Sequence, residues 1–147
     1  MQTGPTTRKR SSQKKYITHL KTTEKNVCEF CAFSAESAQV VKELSLFWVV
    51  KNTFGYDIWD GCGVEDHLMI VPKRHIDSIG HFTDKEAQQY LKTLQLFESK
   101  GYSIYSRAAE NITKSIPHQH THFIKLDNKR KKALLYLRKP HVMVYIQ

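Results

Sequence analysis

The feature that most constrains the fold of this 147-residue chain is a run of alternating histidines, His118-Gln-His120-Thr-His122, which continues into an apolar stretch ending at Leu126. Successive side chains of a β-strand point to opposite faces, so a strand over residues 118–126 would carry all three histidines on one face, about 6.6 Å apart. Three imidazoles on one face pack poorly in a core. The pattern therefore favours a strand whose histidines are used in chemistry over a solvated strand face or an adventitious metal patch.

The chemistry of imidazole narrows what such a face can do. With a pKa near 6.5, an imidazole can be unprotonated at neutral pH and act as a nucleophile, and it is also a tolerable leaving group from phosphorus. A double displacement on a nucleotide phosphate requires both properties. The histidine run is thus a candidate phosphate-transfer site.

The remaining patterns predict an α+β fold. The clearest helix begins with a capping box at Thr83-Asp-Lys-Glu86, continues with apolar residues at spacings of three and four, and ends at Gly101. A second, shorter helix is predicted over residues 34–44. Apolar runs predict strands over residues 46–50, 67–71, 102–106, 118–126 and 141–146. We therefore expect a mainly antiparallel sheet of about five strands with one long and one short helix.

The positive charge is concentrated at the two ends of the chain. The net charge is +9; residues 1–25 contribute +6, residues 127–147 contribute +5, and residues 26–126 carry −2. This distribution predicts three regions: a basic, flexible tail over 1–25 (mobile to about Lys15, then a short ordered lead-in), a catalytic domain over 26–126, and a basic segment with a C-terminal strand over 127–147. The basic ends are expected to make at most weak, non-specific contacts with nucleic acid.

The cysteines and the lengths of the apolar runs indicate the cellular compartment in which we expect the protein. Three cysteines, two of them as Cys28-Glu-Phe-Cys31, fit a reducing compartment, so we expect a cytoplasmic location. No stretch approaches the roughly 20 apolar residues that cross a bilayer, so we expect no membrane partner. The Cys28–Cys31 spacing suits two thiolate ligands of tetrahedral zinc, but two buried, small apolar residues would show the same spacing.

Three motifs together resemble the histidine-triad (HIT) family. His118-x-His120-x-His122 followed by Phe-Ile resembles the family signature. The upstream stretch that runs from His67 through Pro-Lys-Arg to His75 resembles a second landmark of the family, and the cysteine pair resembles one found in many bacterial members. The resemblance covers roughly residues 27–126 and implies a HIT-like fold.

The resemblance also implies a reaction and roles for individual residues. His120 would attack the α-phosphate of a nucleotide and form a nucleotidyl-histidine intermediate, and His122 would bind the phosphate or tune the nucleophile. Ser115 would contact the phosphate or the leaving group. His67 would line the pocket, and Asn52 stands where relatives often place an acidic residue on the ribose. Water would then release a nucleoside monophosphate from a dinucleoside polyphosphate or a nucleoside phosphoramidate.

The same resemblance completes the metal site. It implies that His75 and His118 join Cys28 and Cys31 as zinc ligands, so that His118 belongs both to the triad and to the metal site. Four protein ligands close a zinc site, so this zinc would be structural.

Two positions depart from the family pattern. Thr113-Lys114 stands where relatives usually have Gly-Gln, and Arg107 stands where the family has an asparagine. Both cations could stabilise transition-state charge or bind a longer polyphosphate. They could equally be surface residues of a shifted loop.

Two other functions are compatible with these residues. A nucleotidyltransferase or phosphorylase would use the same intermediate, although such branches often have Gln at the third histidine, which favours hydrolysis here. A non-catalytic module that binds nucleotide or RNA would use the basic ends, but the N-terminal one contains a single aromatic residue, Tyr16, for stacking. The resemblance further implies that the chain can form a homodimer.

Overall fold

The computed structural model describes residues 6–24 and 27–146. These residues form two helices, α1 (Arg10–Thr22) and α2 (Asp84–Glu98). Their strands are β1 (Thr6–Thr7), β2 (Val40–Glu43), β3 (Phe47–Lys51), β4 (Ile58–Trp59), β5 (Cys62–Pro72), β6 (Tyr102–Ser106), β7 (Thr121–Arg130), β8 (Ala133–Leu137) and β9 (Val142–Ile146). The predicted α+β class with a mostly antiparallel sheet is confirmed.

The chain divides into two compact units. The first comprises Met1–Glu24, Thr53–His67 and Lys125–Gln147, and the second comprises Lys25–Asn52 and Leu68–Ile124. The two basic ends, which the sequence analysis treats as separate regions, therefore fall in one unit together with a central segment.

The second unit is built on β3, whose buried residues alternate between two apolar clusters. Phe47 and Val49 pack with α2 in a cluster whose other buried members are Leu68, Ile70, Tyr90, Phe97 and Phe123. Trp48 and Val50 point to the opposite face and pack with Phe30, Met69 and Val71. β3 pairs antiparallel with β2 on one side and with β5 on the other. Since both faces of β3 are covered, this strand is continuously apolar.

Helix α2 begins and packs as its sequence predicts. Thr83 accepts the Glu86 backbone N–H, and the Glu86 carboxylate accepts the Thr83 backbone N–H, which completes the predicted capping box. On the buried face of the helix, the Phe97 ring stacks on Phe123 with the centroids 4.3 Å apart. The helix therefore covers one face of the sheet. The segment that contains Cys28 and Cys31 packs against the other face through Phe30.

The first unit contains α1, the β1–β4 pair and the β8–β9 hairpin. Helix α1 contacts the segment after β3 through Tyr16 and His19, whose ring centroids lie 5.5 and 4.7 Å from that of Phe54. The Arg8 guanidinium lies over the rings of both Tyr16 and Tyr56, at 4.4 and 4.9 Å. These aromatic and cation–π contacts hold the helix, which has no fully buried residue.

Several sequence predictions need correction. Residues 10–22 are helical where a mobile tail and a lead-in were predicted, because Tyr16 and His19 find partners far away in sequence. The helix predicted over 34–44 is wrong: Val40 and Val41 are β-branched and belong to β2, which pairs with β3. The histidine strand begins only at Thr121, so His118 and His120 lie in the segment before it.

Within residues 6–24 and 27–146, neither helix combines the length and the apolar character that crossing a bilayer requires.

Candidate functional site

Four predicted metal ligands of the second unit lie together. The ligand atoms of Cys28, Cys31, His75 and His118 all lie within 4.8 Å of one another. His118 Nδ1 is 3.3 Å from Cys28 Sγ and 3.5 Å from Cys31 Sγ, and His75 Nδ1 is 3.1 Å from Cys31 Sγ. Ligands bound tetrahedrally at 2.0–2.3 Å would be about 3.3–3.8 Å apart. The donor set and its spacing can therefore hold a metal ion.

Three local structures bring these ligands together. A single 3-10 turn over Glu29–Ala32 closes the cysteine segment, in which the Cys31 N–H donates to the Cys28 carbonyl at 3.1 Å. Between the cysteines, Phe30 is buried and fixes the turn against the sheet. His75 follows the end of β5, and His118 precedes β7.

The orientation of His118 suits a metal ligand. Its Nε2 lies 2.9 Å from the Pro72 carbonyl oxygen. A carbonyl oxygen only accepts, so Nε2 carries the proton and the lone pair of Nδ1 faces the two thiols. Burial lowers the pKa of His118, which keeps the ring neutral and available as a ligand.

His120 has the opposite tautomer. Its Nδ1 lies 2.9 Å from the His118 carbonyl oxygen and must donate to it, so Nε2 is the unprotonated nitrogen of the neutral ring. Burial lowers the pKa of His120 to about 4, so at neutral pH the ring is uncharged. The Phe30 ring meets His120 edge-on with the centroids 5.3 Å apart, which helps to fix the ring plane. An oriented, unprotonated Nε2 is the arrangement that a nucleophilic histidine requires.

His122 lies beside His120 and next to a cation. The two ring centroids are 5.1 Å apart. His122 Nε2 is 3.3 Å from a terminal nitrogen of Arg107, which can only donate, so Nε2 accepts. The guanidinium also lies 5.1 Å from the Tyr105 ring centroid, and its Nε donates to the Thr113 hydroxyl at 3.0 Å. Arg107 therefore contacts His122, and we refer to His120 and His122 together as the histidine group.

Lys114 is held near the same group by a buried amide. Its ammonium donates to Gln119 Oε1 at 3.0 Å and to the Asp77 carbonyl at 2.7 Å. Gln119, only 2% exposed, in turn donates through Nε2 to the Ser106 hydroxyl at 2.8 Å. Desolvation lowers the pKa of Lys114, and its charge acts in turn on His120, whose pKa it lowers. The two cations that depart from the family pattern thus belong to the environment of the histidine group.

The other predicted residues occupy different places. Ser115 is exposed in the segment before the histidines, and Asn52 is half-buried directly after β3. His67 belongs to the first unit, where it is buried; its Nδ1 accepts the Tyr56 backbone N–H at 3.1 Å. The roles predicted for these three side chains remain predictions.

Sequence reasoning missed two residues of this site. Phe30 contacts the rings of both His118 and His120, and Gln119 connects Lys114 to Ser106. A signal existed for each: an apolar residue between two metal-ligand cysteines, and an amide residue between two histidines of the motif.

The comparisons with known proteins support the fold. No protein-family model matches the chain, and no curated protein matches it. Among solved structures, the chain is similar to a HIT family hydrolase from Clostridium thermocellum, at 19% identity over 76% of this chain and 100% of that one, with a TM-score of 0.53. It is likewise similar to a HIT family hydrolase from Legionella pneumophila, at 21% identity over 71% and 95% of the two chains, with a TM-score of 0.50. The chain therefore has a HIT-like fold, which confirms the resemblance at the level of the fold.

Proposed function

We propose that this chain is a HIT-type nucleotide hydrolase that works through a nucleotidyl-histidine intermediate. The observation that carries the proposal is the hydrogen bond from His120 Nδ1–H to the His118 carbonyl, because it leaves Nε2 unprotonated and oriented. The similarity in fold to two HIT family hydrolases supports the same reaction class.

The proposed reaction has two displacements at phosphorus. In the first, the lone pair of His120 Nε2 forms a bond to the α-phosphorus, and the bond from phosphorus to the leaving group breaks with its electron pair. In the second, the oxygen of a water molecule attacks the same phosphorus. The P–N bond then breaks, and its electron pair returns to Nε2 as the nucleoside monophosphate departs. The water proton leaves with the product or with solvent.

The cations beside the histidines favour substrates rich in phosphate. Arg107 contacts His122, and Lys114 is held by Gln119 and the Asp77 carbonyl, so two positive charges surround the histidines. Such charges stabilise a pentacoordinate phosphate and a polyphosphate leaving group. We therefore favour dinucleoside polyphosphates over nucleoside phosphoramidates. The roles predicted for three other residues are kept in the proposal: Ser115 contacts the phosphate or the leaving group, His67 lines the pocket, and Asn52 stands at the ribose.

For the metal group we propose a structural zinc ion. Two thiolates and two imidazoles form a soft, four-ligand set that suits zinc and leaves no open position. When bound, zinc would tie the cysteine turn to the segment that precedes β7. The three cysteines are free thiols, which fits a reducing, cytoplasmic setting for the enzyme.

The test is a search for the intermediate. Wild-type protein and His120→Ala are mixed with dinucleoside polyphosphates and nucleoside phosphoramidates, quenched in alkali, which preserves a P–N bond, and analysed by mass spectrometry. We expect monophosphate release and a transient nucleotidyl adduct on the wild type alone. A panel with no turnover and no adduct on the wild type would refute the hydrolase and favour a module that only binds nucleotide or RNA.

The second candidate is a nucleotidyltransferase or phosphorylase, which shares the intermediate. The position of Arg107 beside His122 favours it to the extent that an anionic acceptor such as phosphate could enter there. Adding inorganic phosphate to the preformed adduct distinguishes the two: a nucleoside diphosphate product identifies the phosphorylase, and a monophosphate identifies the hydrolase.

A further inference from the structure

The β8–β9 hairpin of the first unit has an aliphatic face that is exposed. Residues paired directly across an antiparallel hairpin share a face, and the pairs on this face are Ala133–Ile146, Leu135–Val144 and Leu137–Val142. Four of these side chains are exposed by 40–61%, namely Leu135, Leu137, Val144 and Ile146. The other face carries Leu134, Tyr136, Met143 and Tyr145, all half-buried. We refer to the exposed face as the aliphatic face.

An apolar patch of this kind indicates an interaction surface. Monomeric soluble proteins expose single apolar residues freely, but contiguous patches mark sites where something binds. The six side chains of the aliphatic face form three adjacent cross-strand pairs and therefore one contiguous patch.

Cations stand at both ends of the aliphatic face. At the open end of the hairpin, the exposed Lys132 donates its backbone N–H to the Ile146 carbonyl at 2.8 Å. At the other end, Arg138 and Lys139 are exposed in the connecting turn. Residues 128–147 contain six Lys/Arg and no Asp or Glu. Lys131 is the exception among these cations, because its side chain is 4% exposed and lies 3.5 Å from Asp127.

The start of α1 adds to this positive surface. The His141 Nε2–H donates to the Arg8 carbonyl at 2.9 Å, which places the start of α1 beside the hairpin turn. Lys9 and Arg10, the next residues, are exposed. The first unit as a whole has thirteen Lys/Arg against six Asp/Glu. The unit that carries the aliphatic face therefore has a net positive charge of +7.

Charge and side-chain type together select the partner. A second copy of this hairpin would bring like charges together, so the complementary partner is anionic. A single-stranded nucleic acid would need exposed aromatic rings for stacking, whereas Tyr136 and Tyr145 lie on the half-buried face. An aliphatic centre with Lys and Arg at its ends is the pattern of an interfacial element, which buries its apolar side chains at the headgroup boundary while the cations reach lipid phosphates.

We propose that the aliphatic face of the β8–β9 hairpin docks on the surface of an anionic lipid bilayer. The prediction of no membrane partner rests on the lack of a long apolar run in the sequence. A hairpin escapes that criterion, since its apolar residues alternate along each strand and join into a patch only when the strands pair. The proposal concerns the first unit and does not depend on the proposed hydrolase.

The experiment is cosedimentation of the full chain with vesicles. One set contains phosphatidylcholine alone, and the other contains phosphatidylcholine mixed with phosphatidylglycerol. We expect the protein to pellet with the mixed vesicles only, and to be released when the salt is raised from about 0.1 M to about 1 M, because screening weakens the attraction of the cations.

Two variants and two matched controls test the surface. Leu135→Thr/Val144→Thr makes the aliphatic face polar and places β-branched residues, which suit strands, at both positions, and Arg138→Gln/Lys139→Gln removes charge at the turn. We expect each to weaken partitioning by about tenfold or more. The controls make equal changes at exposed sites of the second unit: Val41→Thr/Ile104→Thr and Lys92→Gln/Lys100→Gln should pellet like the wild type. Thermal melts of all variants establish that they are folded.

Four results would overturn the proposal. Absence of wild-type binding to the mixed vesicles would do so directly. Equal loss of binding by the hairpin variants and their controls would remove the aliphatic face as the site. Light scattering that shows a wild-type dimer dissolved by Leu135→Thr/Val144→Thr would assign the face to a second copy, and single-stranded RNA that competes with the vesicles and binds the wild type more tightly would assign it to nucleic acid.

Discussion

The metal-ligand group and the neighbouring His120–His122 pair hold the same kind of side chain in different orientations. His118 and His120 are two residues apart and both buried, yet they are opposite tautomers. The Pro72 carbonyl accepts a hydrogen bond from His118 Nε2–H, so that Nδ1 faces the thiols, whereas the His118 carbonyl accepts a hydrogen bond from His120 Nδ1–H, which leaves Nε2 unprotonated. Two main-chain oxygens therefore decide which histidine suits a metal and which suits phosphorus.

Replacement of His120 is expected to have the largest effect, a loss of activity on nucleotides without a loss of metal. His120→Asn can keep a side-chain amide donor to the His118 carbonyl but lacks the nucleophilic nitrogen, so we expect activity on nucleotides to fall by about 10³-fold or more, with metal content unchanged. His118→Asn should instead lose the metal. Turnover assays combined with elemental analysis of the purified proteins measure both. Loss of metal in His120→Asn would show that the two groups are one functional unit.

Removal of a metal ligand should have the next largest effect. In Cys31→Ser we expect loss of the bound metal and a free energy of unfolding lower by about 3 kcal/mol or more, because a structural metal stabilises the folded state. Cys62→Ser is the matched control, since Cys62 is also a free thiol but lies outside the ligand group. Urea unfolding with and without a chelator provides the measurement. Equal stability of Cys31→Ser and Cys62→Ser would rule out a structural metal here.

Glu86 provides a pH-dependent test of the segment that carries His75, because its ion-pair partner Arg74, at 2.7 Å, is the residue before that predicted ligand. The hydrogen bond from Arg74 chiefly lowers the pKa of Glu86 from 4.5 to about 2, and Thr83 adds to it. The folded state therefore holds this proton less tightly than the unfolded state. The stabilisation of about 3 kcal/mol is fully present above pH 4.5 and is lost as the pH falls towards 2. Between these values, unfolding of Glu86→Gln should depend less on pH than that of the wild type or of Glu98→Gln, which changes an exposed residue.

The smallest expected effect concerns the two cations. Lys114→Gln and Arg107→Gln should each lower kcat/KM for a dinucleoside polyphosphate by about tenfold, and less for a phosphoramidate, because fewer phosphate charges are then stabilised. Lys92→Gln, on the exposed side of α2, serves as the control. Equal losses on both substrate types would mean that these cations do not select for polyphosphate.

The accuracy of a structure prediction from the sequence depends on whether the pattern and the structure it predicts lie within one helix, strand or turn. The α2 capping box and the apolar spacing of α2 lie within one element, and the structure contains both as predicted. The Cys28-x-x-Cys31 spacing also lies within one turn, but its meeting with His75 and His118 was anticipated only through family resemblance and is confirmed by the ligand distances.

The parts that could not be predicted depend on distant partners. Residues 10–22 contain only three apolar residues, Tyr16, Ile17 and Leu20, and α1 is held by contacts such as that between His19 and Phe54. Val40 and Val41 become a strand because β3 offers an open edge for pairing. The tautomers of His118 and His120 depend on carbonyl groups whose positions no residue pattern encodes.

His118 takes part in two arrangements at once, one through its ring and the other through its backbone carbonyl. Its ring belongs to the metal group, and its carbonyl holds the His120 ring, so a shift of this one residue alters both. Occupancies that share a residue in this way are thermodynamically linked, and the linkage is reciprocal. Whatever factor metal binding contributes to nucleotide affinity, nucleotide binding must contribute to metal affinity, so that a saturating nucleotide analogue should change the equilibrium affinity for the metal by that same factor.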